Sequence, residues 1–166
     1  MIRECEYTAG VRRFAVWILL AAGAFAAGDT PLARDFLAAH NAARAKVGVP
    51  PLEWSDKLAS VAQEWADHLS ATGGFEHRSK SKYGENLFEM RGAKATPAEV
   101  VQRWDAEAAN YNYKANKCKG GQCGHYTQVV WRGTKEVGCA VASRGNREVW
   151  VCEYNPPGNY IGQRPY

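Results

Sequence analysis

The sequence predicts an α/β (α+β) layered domain with few strands. Three observations carry that prediction. Apolar residues recur at helical spacing in three stretches, a single two-residue turn signal joins two strand-like runs near the end, and the segment between helices two and three follows neither period.

In PLARDFLAAHNAARAKVG (31–48), Leu32, Phe36, Ala39, Ala43 and Val47 fall on one helical face, and Gly48 ends it. PPLEW (50–54) is predicted as a rigid linker. Ser55 is placed to cap a second helix with a stripe of Leu58, Val61, Ala62, Trp65 and Leu69, closed by Gly73-Gly74. FEHRSKSKYGENLFEM (75–90) is predicted as an ordered loop with a short helical turn near its end. ATPAEVVQRWDAEAANYNY (95–113) is predicted as a third helix, with Thr96 as cap, Pro97 as first residue and Glu99 completing a capping box. EVGCAVASR and REVWVCEYN flank Gly145-Asn146, a hairpin signal. Residues opposed across such a turn share a constant index sum, and Cys139 and Cys152 satisfy it. They are expected to face each other at a non-hydrogen-bonded pair, with Cα atoms about 4.5–5.5 Å apart, within disulfide range.

The 166 residues, 46% of them apolar, fit one domain after a leader. Arg12-Arg13, the apolar run FAVWILLAAGAFA and the small residues around Ala24–Ala26 read as a secretory signal peptide within residues 1–28. The apolar run is short for a bilayer span, and polar and helix-breaking residues follow it, so no stable membrane span is expected after cleavage. Glu4, Cys5 and Glu6 suit such a leader poorly, which points to Val11 as the true start and residues 1–10 as a mis-assigned extension. Export places Cys118, Cys123, Cys139 and Cys152 in an oxidising compartment, extracellular or periplasmic, where disulfides are expected before metal thiolates. With Cys139 and Cys152 paired, Cys118 and Cys123 are left to each other. A zinc site of the four is the alternative, disfavoured because their spacings form no short metal knuckles. Without residues 1–26, 18 Lys+Arg stand against 15 Asp+Glu, too mild an excess to argue for nucleic acid. Six tryptophans and eight tyrosines suggest wet aromatic surfaces as well as a core.

Four histidines remain. His40 and His68 lie within amphipathic helices and read as helix-face or boundary residues. His77 lies in the aperiodic segment, and His125 follows a disulfide-closed loop. Glu85, in YGENL, is flanked by Asn86 and apolar residues. Glu107 follows Trp104 by three and shares its helical face. His77, Glu85, Glu107 and His125 have the chemistry of a divalent-metal site, and equally that of a buried hydrogen-bonded network without metal. No nucleophile elbow, His-Glu-x-x-His pair or phosphate-binding glycine loop accompanies them.

GHYTQVVWRGTKEVGCA (124–140) and VWVCEYNPPGNYIGQRPY (149–166) resemble the two signature segments of the CAP superfamily: cysteine-rich secretory proteins, antigen 5 and pathogenesis-related protein 1, also called the SCP domain. FLAAHNAARAKVGVPPLEWSDKLASVAQEWA (36–66), YGENL and the Trp104–Glu107 helix followed by YNY extend the likeness over residues 31–166. It is strongest toward plant pathogenesis-related protein 1, with bacterial SCP-domain proteins sharing the same segments. The resemblance implies a three-layer α-β-α sandwich with a small central antiparallel sheet. It also implies a cleft in which His77, Glu85, Glu107 and His125 hold zinc or magnesium in some members. A secreted, non-enzymatic, monomeric protein is implied, binding sterol or other lipid in defence or host–microbe contact. The alternative is a metal-dependent hydrolase or protease using the same cleft. PPGNYIGQRPY resembles a C-terminal peptide that plant members release. Relatives usually carry a further disulfide, whose cysteines would stand near Gly73 and near Ser143-Arg144. Its loss predicts a looser segment around His77, at a cost of about 2–4 kcal/mol.

Overall fold

Two nine-residue strands, β5 (Glu136–Arg144) and β6 (Arg147–Asn155), form the hairpin that Gly145-Asn146 signals, with Cys139 opposite Cys152. The computed structural model describes residues 28–166, and the expected leader lies outside the described residues apart from its last position. Cys139–Cys152 and Cys118–Cys123 are both disulfide-bonded. The Cα atoms of the hairpin pair are 4.1 Å apart, slightly closer than the sequence-based range.

The sheet has four strands in the order β1 (Glu53–Trp54), β5, β6, β2 (Gly84–Arg91). On one face lies α2 (Asp56–Thr72), whose Ala62, Ala66 and Leu69 pack with Leu87, Ala140, Val149 and Val151. On the other lie α1 (Pro31–Ala45), α3 (Pro97–Ala106) and α4 (Gly124–Val129), with Phe36, Val100, Trp104 and Val129 against Cys139, Trp150, Cys152 and Tyr154. This is the expected three-layer α-β-α sandwich. Because β6 is covered on both faces, all but its last residue is buried. The predicted caps are present: Ser55 accepts from Leu58 N–H, Gly73 closes α2 at φ 79°, and Thr96 with Glu99 forms a complete capping box.

Three sequence-based expectations need correction. The segment predicted to end in a helical turn instead ends in strand β2 (Gly84–Arg91), antiparallel to β6. Its period is hidden because polar and apolar residues alternate on neither face: Glu85, Leu87 and Glu89 share one side, Asn86, Phe88 and Met90 the other. Glu89 is there to receive Arg147, and Glu85 and Asn86 build the site described below. The presumed linker contributes β1 (Glu53–Trp54), parallel to β5, so the otherwise antiparallel sheet has one parallel edge. The third helix stops at Ala106. A 3₁₀ turn (Glu107–Asn110) follows, then β3 (Tyr111–Asn112) paired with β4 (Lys117–Cys118). Asn112 Oδ1 accepts from Ala115 N–H, a local turn that competes with helix.

Where the resemblance places a third disulfide, arginines make the tie. Arg144 donates to the Ala71 carbonyl, and Arg147 to those of Leu69 and Gly74, fastening the hairpin tip to the end of α2. At the other end of α2, Gly138 lies beneath the first turn. A Cβ there would sit 2.1 Å from Ala59 N and 2.6 Å from the Ser55 carbonyl oxygen, both backbone atoms that cannot rotate aside. Gly138→Ala is therefore expected to destabilise the domain by about 2–3 kcal/mol through displacement of α2. Denaturant titration measures this, and a change under about 0.5 kcal/mol would show that the helix gives way freely.

Candidate functional site

The four residues singled out in the sequence form two histidine–glutamate pairs. His77 Nδ1 lies 2.5 Å from Glu85 Oε1, and His125 Nδ1 lies 2.7 Å from Glu107 Oε1. A carboxylate only accepts, so Nδ1 carries the proton in both rings and Nε2 is left for another partner. His77, Glu85 and His125 line one cavity of about 340 Å3, together with Asn86, Gln122, the Cys118–Cys123 bridge and Asn159. Glu107 stands behind His125 and is mostly buried.

Each carboxylate also organises backbone. Glu107 Oε2 accepts from His125 N–H at 3.0 Å and Tyr126 N–H at 3.4 Å, capping the start of α4 while its other oxygen orients the ring. Trp104, one turn earlier, stacks on His125 with ring centroids 6.1 Å apart. The sequence-based inference that Trp104 and Glu107 share a side thus leads to one imidazole held from two directions. Glu85 accepts from Arg78 N–H as well as His77, and Arg78 pairs with Glu64 on α2. The Glu85 hydrogen bond raises the His77 pKa above its ordinary value. The His77 side chain is 65% exposed, so its position rests mainly on that one bond.

His40 is not the helix-face or boundary residue expected. It is fully buried, and burial pushes its pKa down to about 4, so it is neutral. The Phe36 carbonyl, 2.8 Å from Nδ1, fixes the proton there, and Nε2 accepts from the Tyr154 hydroxyl at 2.8 Å. Asn86 Nδ2 donates to the same hydroxyl oxygen and to the His125 carbonyl. A buried polar chain therefore runs from α1 through β6 and β2 to the backbone of His125. His68 is a surface residue, stacked on Trp65 at 4.7 Å.

The cysteine-rich secretory protein (CAP) family profile matches residues 37–154, more than two thirds of the chain. This chain belongs to the CAP family. It is 49% identical to pathogenesis-related protein 1A of Nicotiana tabacum over 135 residues, covering 80% of each chain. Identity to pathogenesis-related protein PR-1 of Medicago truncatula is 48%, covering 80% of this chain and 78% of that one. Among solved structures, venom allergen-like protein 4 of Schistosoma mansoni superposes with a TM-score of 0.66 at 28% identity, covering 80% of this chain and 92% of that one.

In this CAP domain, the one trio of ligand-type atoms within 4.8 Å of one another among the described residues is His40, Cys139 and Cys152. It is not a metal centre as it stands. The two sulfurs are bonded to each other, and both His40 nitrogens are used in hydrogen bonds. The residue that the sequence reading missed is Glu153. It lies directly opposite Glu85 on β6, is 0% exposed, and neither carboxylate oxygen has a hydrogen-bond partner among the described residues. Burial, reinforced by Glu85, pushes its pKa up to about 8, against Arg78 and His77. The run VWVCEYN gave one signal, an acidic residue in the middle of a strand otherwise apolar on both faces.

Proposed function

We propose that this CAP domain is a secreted, non-enzymatic binding protein whose cleft takes a divalent ion, zinc or magnesium, through His77 and His125. The observation that carries this is the orientation of the two rings. Each lines the same cavity with Nδ1 held by a carboxylate, the arrangement in which Nε2 binds metal while the outer-shell carboxylate fixes tautomer and direction. In this reading Glu85 and Glu107 support the ligands, and a cation in the cleft would favour release of the proton that the buried Glu153 carboxyl behind Glu85 otherwise holds. Bound metal would supply a Lewis-acid centre for an anionic or carbonyl group of a ligand. The names of the plant relatives support a defence role, the two disulfides suit an oxidising compartment, and Tyr111, Trp131 and Tyr160, which line the neighbouring cavity, suit a sterol or other lipid.

Zinc titration by calorimetry tests the reading. Wild type is expected to bind, His77→Ala and His125→Ala to lose binding, and Glu107→Gln to weaken it about 10–100-fold. Binding unchanged in both histidine variants would overturn the site. Hydrolysis that is lost on chelation and in Glu107→Gln would favour the enzyme reading instead.

A further inference from the structure

We propose that the face formed by the β3–β4 segment and the C-terminal tail docks on an anionic lipid surface. Residues 111–135 and 156–166 contain six Lys/Arg and no Asp/Glu, whereas the rest of the chain holds 15 Lys+Arg against 17 Asp+Glu. The whole positive balance of the protein is confined to these two segments, and the fold brings them together. Arg164 donates to the Tyr113 and Lys114 carbonyls, Asn116 Nδ2 to the Gln163 carbonyl, and Arg132 N–H to the Pro165 carbonyl. Tyr113 stacks on Tyr166 at 4.8 Å, and the Arg164 guanidinium lies over the Tyr113 ring at 5.6 Å. Lys114, Lys117, Lys119, Arg132 and Arg164 are all exposed, and none forms an ion pair among the described residues.

An apolar tip projects from the same tail. Ile161 is fully exposed, at 103%, and Tyr160 beside it and Tyr113 are 50% and 45% exposed. These are three of the four large hydrophobic side chains that stand in solvent among the described residues. A fully exposed isoleucine beside aromatics, among uncompensated cations, matches the chemistry of a membrane interface. Aliphatic and aromatic groups enter the headgroup boundary while the cations meet anionic headgroups. A soluble polyanion would use the charge and leave Ile161 without a role. The surface lies beside the His77–His125 cleft and uses none of its four residues, so the proposal stands or falls separately from the metal reading.

Cosedimentation with vesicles tests it, using phosphatidylcholine alone and phosphatidylcholine mixed with phosphatidylglycerol. Binding is expected only to the mixed vesicles and is expected to fall steeply with salt. Each of Lys114→Gln, Lys117→Gln and Lys119→Gln should reduce partitioning about five-fold. Ile161→Ser should reduce it about ten-fold without affecting folding, because the side chain touches nothing in the domain. His125→Ala should leave it unchanged. No binding to mixed vesicles at low salt, or binding indifferent to Ile161→Ser, overturns the proposal. Retention on a sulfated polysaccharide column without vesicle binding would assign the charge to a polyanion and overturn it as well.

Discussion

Arg44→Leu is expected to destabilise the domain by about 3–5 kcal/mol, lowering the melting temperature by on the order of 10 °C. Arg44 is fully buried on α1 with no carboxylate partner among the described residues. Its guanidinium donates instead to four carbonyls, those of Pro50, Val129, Trp131 and Thr134, at 2.7–3.2 Å. Those groups belong to the segment before β1, the end of α4 and the entry to β5, so one side chain ties α1 to three other parts of the chain. Burial lowers its pKa to about 10, which still leaves it charged at neutral pH. Leucine would fill the space but remove all four hydrogen bonds, leaving the buried Val129 and Thr134 carbonyls without this donor at a cost of about 1–3 kcal/mol each, while the Trp131 carbonyl keeps the Thr134 N–H. Arg44→Lys should recover little, because a single ammonium cannot reach carbonyls spread around a planar fork. Denaturant unfolding measures both variants. Because the Val129 carbonyl held by Arg44 follows His125 within one short helix, zinc affinity should fall as well. A loss of stability under about 1 kcal/mol would sink this account of the residue.

Glu153→Gln is expected to act in the opposite direction, stabilising the protein above neutral pH. The Glu153 carboxyl titrates near 4.5 when unfolded and near 8 when folded. Between those values the native state holds a proton that the unfolded chain has released. The stability from this group is thus complete below about pH 4.5 and is lost as pH rises toward about 8. From pH 5 to pH 8 the loss is on the order of 3–4 kcal/mol, and it vanishes in Glu153→Gln, which carries no titrating group. His77, whose pKa is also raised, contributes an effect of the same sign, and because Glu153 helps to raise it, the difference between wild type and variant includes that coupling. Chelator should be present throughout, since a bound cation would hold the carboxylate charged. Parallel pH profiles for the two proteins would show that Glu153 has a partner in solution.

Much of the fold was legible because local rules set it. Capping residues placed the starts of α2 and α3, Gly73 the end of α2, and the turn at Gly145-Asn146 fixed a register that aligned Cys139 with Cys152. β2 was not legible, since a strand that serves both the sheet and a cleft carries polar residues on both faces and loses its period. β1 was hidden by its length of two residues.

For the site, the sequence by itself determined the residue types. His77, Glu85, Glu107 and His125 stood out from their neighbours, and the family signature segments agreed with that choice. Only the tertiary structure decided how they pair: His77 with Glu85, His125 with Glu107, one nitrogen of each ring committed and both histidines lining a shared cavity. It also decided that His40, Asn86 and Tyr154 form one buried chain, that Glu153 stands unpartnered behind Glu85, and that cations scattered between 114 and 164 share one face. The physical reason is the same in each case. Helix caps and hairpin turns depend on residues a few positions apart, whereas a hydrogen bond or a charge cluster between distant segments exists only once packing has brought those segments together.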